Sequence, residues 1–150
     1  MRASVTIWVG LILALVDHSA MTQQVRAAVL YSVTDLGTLG GTLSGANGIN
    51  DAGQIVGSSM TTGDAAYHPF LYSGSTMTDL GTLGGTYSET HGINSSGQVV
   101  GWSYTGTGIF GTDVHAFLYS GSTMTDLGTL GGSSSYAFGI NSSGQVVGAS

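Results

Sequence analysis

The chain has 150 residues, with 26 glycines, two basic and eight acidic side chains and no cysteine. Without cysteine there are no disulfides, no thiolate catalysis and no Cys-based metal sites. Arg2 and Arg26 are the only Lys or Arg residues, so everything after residue 27 is free of both, while all the acids except Asp17 lie there. Such a composition excludes the cationic surface that nucleic acid, polyphosphate or anionic lipid requires.

In chain order, Arg2 is followed by an apolar run from Val5 to Val16 and then by small and polar residues. This pattern predicts a signal peptide over residues 1–27, with cleavage after Ala20 or Ala27. The run is short for a bilayer span, which takes about 20 apolar residues, so a permanent anchor is the weaker reading.

From residue 28 onward the chain is a tandem array. Asp35-Leu-Gly-Thr-Leu-Gly-Gly41 recurs at Asp79–Gly85 and Asp126–Gly132, each time followed by Gly-Ile-Asn (from Gly48, Gly92 and Gly139) and then by Gly-Gln-Ile/Val-Val-Gly (from Gly53, Gly97 and Gly144). The repeats are about 31–67, 68–114 and 115–150, and a unit of this size must bury its apolar face against its neighbours. Residues 68–101 and 115–148 are identical at 28 of 34 positions.

Within a unit, turn residues separate four short β-prone runs. In the second copy these predict strands near 68–72, 76–81, 89–94 and 97–103, with tight hairpins at Ser73-Gly74-Ser75 and Asn94-Ser-Ser-Gly97. The expected fold is all-β: tandem four-stranded antiparallel units resembling β-propeller blades, in an open or incomplete array. Starting from a strand at Tyr31–Asp35, the count is three, four and four strands. The expected core is Phe70, Leu71, Tyr72, Leu83, Ile93, Val99 and Val100, with Phe117, Leu118, Tyr119, Leu130, Ile140, Val146 and Val147. The links Ser58–Tyr67 and Ser103–Val114, which absorb the difference between repeat lengths, are expected to join one unit to the next and to carry binding loops.

The segments His68-Pro-Phe-Leu-Tyr72 and His115-Ala-Phe-Leu-Tyr119, each followed by Met-Thr-Asp-Leu-Gly-Thr-Leu-Gly-Gly, Gly-Ile-Asn and Gly-Gln-Val-Val-Gly, resemble the HAF family of bacterial extracellular repeat proteins. The resemblance covers about residues 31–150. It implies export and tandem stacking, and it carries no catalytic residue over to this chain. Pro69 and the lack of a His-Ala-Phe segment before Tyr31 depart from the pattern.

Candidate chemistry falls into two groups. His68 with Asp79, and His115 with Asp126, lie diagonally across a hairpin, and their recurrence in each copy points to structural hydrogen bonds. Asp35 is the equivalent strand-end acid in the first copy. The residues that differ between copies are the better candidates for binding: Tyr87, Glu89 and His91, replaced by Ser134, Tyr136 and Phe138, together with Trp102, Tyr104, Phe110 and Asp113. Aromatics among polar groups suit sugar rings. Asn94 and Asn141 fit a glycosylation acceptor pattern, but turn formation accounts for both, because Asn50 occupies the same turn without it.

Gly-Thr-Leu-Gly-Gly lacks the lysine and following helix of a phosphate loop, and neither a catalytic motif nor a cofactor-binding motif is present. These features imply an exported, non-catalytic module with a structural, adhesive or ligand-presenting role. The partner classes are carbohydrate and protein, including further copies of the chain through open sheet edges. The alternative is a fragment of an extracellular propeller enzyme acting on carbohydrate, with Glu89 and Asp113 as its acids.

Overall fold

The computed structural model describes residues 32–106 and 113–150. The signal peptide expected over residues 1–27 lies outside them, as do Tyr31 and Phe110. Thr34–Ser150 form one compact unit. Its ten strands are β1 (Gly40–Ile49), β2 (Ile55–Thr61), β3 (Tyr67–Ser73), β4 (Thr76–Asp79), β5 (Ser88–Ile93), β6 (Val99–Tyr104), β7 (Val114–Ser120), β8 (Thr123–Asp126), β9 (Tyr136–Ile140) and β10 (Val146–Ala149). Among the described residues the only helical element is a three-residue 3-10 turn, Thr62–Asp64.

The chain is all-β and forms three open antiparallel sheets. The first is β1-β2-β3-β4, the second β5-β6-β7-β8 and the third β9-β10. Strand positions and tight turns match the sequence reading, but the grouping of strands does not. The run at 76–79 does not share a sheet with the one at 88–93, so the first and second sheets each combine the second half of one repeat with the first half of the next, and the third holds only the second half of the last repeat. β2 pairs directly with β3 and β6 with β7, so the boundaries expected at 58–67 and 103–114 separate strands of one sheet. The Gly-Thr-Leu-Gly-Gly link is what crosses between sheets.

Residues 32–38 form no strand, contrary to the expectation for Tyr31–Asp35. In the later copies the equivalent strands, β4 and β8, pair with Phe70–Ser73 and Phe117–Ser120. No Phe-Leu-Tyr segment precedes Ser32 to serve the same purpose.

Local chemistry explains the hairpins. Gly74 and Ser75 both have positive φ, +57° and +74°, closing a two-residue turn whose twist matches that of the strands. Asn50, Asn94 and Asn141 organise the longer turns: each side-chain oxygen accepts two backbone N–H groups, from Ser96 and Gln98 in the case of Asn94. Gly101 lies opposite a β-bulge at Thr90–Gly92, where an added Cβ would fall 1.9 Å from the Glu89 carbonyl oxygen. The recurring final glycine of Gly-Gln-Val-Val-Gly is thus required by backbone crowding.

The core lies between sheets. Val56 and Leu80, with partly buried Leu71 and Leu83, pack on Val99 and Phe117 of the second sheet, flanked by Ile93, Tyr119 and Met124. The other face of the second sheet carries Val100, Ala116 and Leu118, which pack on Ala137, Ile140 and Val146. Val99 and Val100 point to opposite sides and are both fully buried, so the second sheet is covered on both faces. Leu130 and Val147 are not core residues as expected; they are 95% and 67% exposed. Val147 would need a further sheet on the far face of β9-β10, and none lies there among the described residues; Leu83, the equivalent of Leu130, packs against Phe117 of β7, and the third sheet has no such strand.

Hydrogen bonds join the sheets in series. The Asn50 side-chain amide donates to the Asn94 carbonyl at 2.9 Å, and the Asn94 amide donates to the Asn141 carbonyl at 3.0 Å. The asparagine of Gly-Ile-Asn therefore shapes its own turn and ties that turn to the next copy.

Candidate functional site

On the second sheet, Glu89 is registered opposite Trp102, and the Tyr104 N–H donates to the Tyr87 carbonyl. This pairing puts Tyr87, Glu89, Trp102 and Tyr104 together, and the bulge beside His91 brings its ring to the same place. The Tyr87 phenol donates to Glu89 Oε1 at 2.5 Å, and Trp102 Nε1–H donates to His91 Nε2 at 3.1 Å. As an acceptor, that Nε2 is unprotonated, so the proton of a neutral His91 ring sits on Nδ1.

The rings continue across all three sheets. Tyr67, at the start of β3, lies 5.0 Å from Tyr87, which stacks on Trp102 at 5.5 Å. Trp102 meets Tyr136 edge-on at 5.9 Å, Tyr136 is parallel to Phe138 at 6.4 Å, and Phe138 meets His91 at 5.7 Å. Tyr104 contacts both Tyr87 and Trp102. Each such ring pair contributes about 0.5–1.5 kcal/mol beyond its buried area, so the band is a rigid surface. His91 is exposed and Phe138 is 54% exposed, while the other rings are half-buried.

Burial, reinforced by the hydrogen bond to Glu89 and its negative charge, raises the Tyr87 phenol well above its ordinary pKa. Burial and the Glu89 charge raise Tyr67 in the same way. Both phenols therefore remain neutral hydrogen-bond donors across the physiological range. Beside the Tyr67 end, Met60, Asp64, Ala66, Tyr67, Thr86 and Tyr87 line a cleft of about 220 Å³. The Asp64 carboxylate there is held by the Thr42 N–H and hydroxyl.

Of the seven binding candidates, Tyr87, Glu89, His91, Trp102 and Tyr104 thus meet in one band, and Phe110 lies outside the described residues. Asp113 does not join the ring contacts. Its carbonyl accepts from the Thr105 N–H and hydroxyl, closing the link before β7. Tyr136 and Phe138 enter the band although the sequence marked them only as replacements for Glu89 and His91. Tyr67 was legible only as the end of a variable link.

The His and Asp pairs bridge β3 to β4 and β7 to β8. His68 Nδ1 is 2.9 Å from Asp79 Oδ2, and His115 Nδ1 is 2.7 Å from Asp126 Oδ2. The same aspartates accept the N–H groups of Gly81 and Gly128, and Asp35 accepts that of Gly37, starting the Gly-Thr-Leu-Gly-Gly turn each time. Burial opposes ionisation of Asp126, but the His115 and Gly128 hydrogen bonds outweigh it and hold the carboxyl below its ordinary pKa. These contacts give the pairs a share in turn construction. Among the described residues no three His, Asp or Glu side chains gather as a metal site.

Asn94 is 4% exposed, and its amide is already bonded to Gln98 and Asn141, an arrangement a glycan could not share. The chain matches no protein-family model, no curated protein and no solved structure.

Proposed function

We propose that this chain is an exported, non-catalytic repeat protein that presents its aromatic band to a carbohydrate ligand. One observation carries the reading: residues that differ between otherwise near-identical copies converge on a single surface spanning three sheets. Rings such as Phe138 and His91 offer apolar faces to a sugar, and Glu89 and the tyrosine phenols offer acceptors and donors to its hydroxyls. The resemblance to HAF repeats and the apolar leader support export from a bacterial cell. The enzyme alternative has weaker support, because the sequence carries no catalytic motif around Glu89 or Asp113.

Trp102 and Trp8 are the only tryptophans, and Trp8 lies in the leader, so fluorescence of the cleaved chain reports on the band directly. Titration with soluble neutral polysaccharides is expected to shift Trp102 emission saturably, and Phe138→Ala is expected to weaken the response. An emission spectrum unmoved by every polysaccharide in a broad panel would reject carbohydrate as the ligand.

A further inference from the structure

The two ends of the array are complementary to one another. Within the chain, each Asn side-chain amide donates to the Asn carbonyl of the following copy, and each acceptor carbonyl also receives the N–H of the glycine three residues on. At the third sheet, the Asn141 amide donates to Gln145 and, among the described residues, to no carbonyl of a further sheet. At the first sheet, the Asn50 carbonyl receives the Gly53 N–H but no asparagine amide. A donor without an inter-sheet acceptor and an acceptor without an inter-sheet donor therefore lie at opposite ends.

The apolar surfaces follow the same rule. Val147 is 67% exposed, whereas its equivalents Val56 and Val100 are fully buried by the sheet that follows each of them. In the first interface Val56 is covered by a surface that includes Ile93; the equivalent of Ile93 at the first sheet is Ile49, 67% exposed.

We propose that a second copy of this chain docks its first sheet on the third sheet of the first copy, continuing the internal stacking. Asn141 then donates to the partner's Asn50 carbonyl, and Val147 is covered next to the partner's Ile49. The two patches differ, so the association is head-to-tail, closing into a ring or extending as a filament according to the angle between sheets. This inference goes beyond the ligand reading and does not depend on it.

The test uses the full chain in sedimentation velocity over a range of concentrations. The wild type is expected to associate as concentration rises. Val147→Asp or Ile49→Asp should each weaken association by about tenfold or more, since either leaves a charge in an apolar contact. Both sites are exposed, so each variant should keep wild-type protease resistance. A mixture of Val147→Asp and Ile49→Asp chains should form a 1:1 dimer that grows no further, because each retains the face the other lacks. A monomer at every concentration would overturn the proposal. So would association that survives both substitutions, which would point to strand-edge pairing or to the leader.

Discussion

β5-β6 of the second sheet and β9-β10 of the third are built from nearly the same residues and live in different surroundings: Val100 is fully buried and Val147 is 67% exposed. The same holds one half-copy away, where Leu80 beside β4 is 6% exposed and Leu127 beside β8 is 44% exposed. Local sequence decides that each segment is a strand, and the neighbouring sheet decides whether its side chains are core. In a repeat array burial is thus a property of position along the stack, and identical residues acquire different energetic weight.

That contrast can be broken most sharply at the leucines. Leu80→Ala is expected to cost about 2–5 kcal/mol, and Leu127→Ala less than about 1 kcal/mol, in urea denaturation. Equal costs would mean that Leu127 is covered in solution. The asparagines come next. Asn94→Ala removes two bonds that shape its turn, one to Gln98 and one to the next sheet, for an expected loss of about 2–4 kcal/mol, whereas the exposed Asn141→Ala should cost about 1 kcal/mol.

The glycine pair sharpens the comparison further. A Cβ at Gly85 would lie 2.6 Å from Tyr104 Cβ, but at Gly132 the nearest atom, Ser134 N, is 4.0 Å away. Gly85→Ala should therefore destabilise by about 1–3 kcal/mol, and Gly132→Ala should leave the unfolding midpoint within about 0.5 kcal/mol of the wild type. The smallest effect is a gain. Thr90 is fully buried with no partner for its hydroxyl, and its equivalent in the third sheet is Ala137. Thr90→Val keeps the shape, removes the unpaired oxygen and should raise stability by about 1 kcal/mol in the same assay.

Strand positions were legible because turn residues mark them: Gly74 and Gly121 at the tight hairpins, and Asn94 with Gly97 at the longer turns. Sheet membership was not, because a hairpin signal fixes only the pairing across its own turn. The links at 58–67 and 103–114 read as boundaries, and only the register Gly57 to Phe70 and Gly101 to Phe117, glycine opposite a large ring, shows that strands pair across them. The band was partly legible from variation between copies, which singled out Tyr87, Glu89, His91, Trp102 and Tyr104. Asp113 takes part through its backbone carbonyl, which adjacency to a variable link does not announce. Tyr67 was missed because its contact with Tyr87 depends on sheet stacking, which local periodicity does not encode.

The half-repeat offset between copy and sheet also has a bearing on how the chain is made. β1 and β2 belong to one copy, but β3 and β4 arrive only with the His-Pro-Phe-Leu-Tyr segment of the next. A polypeptide emerging amino end first therefore holds a half-built sheet until another half copy has followed it. Completion trails synthesis by that interval at every step, so each copy finishes its predecessor before its own sheet is whole.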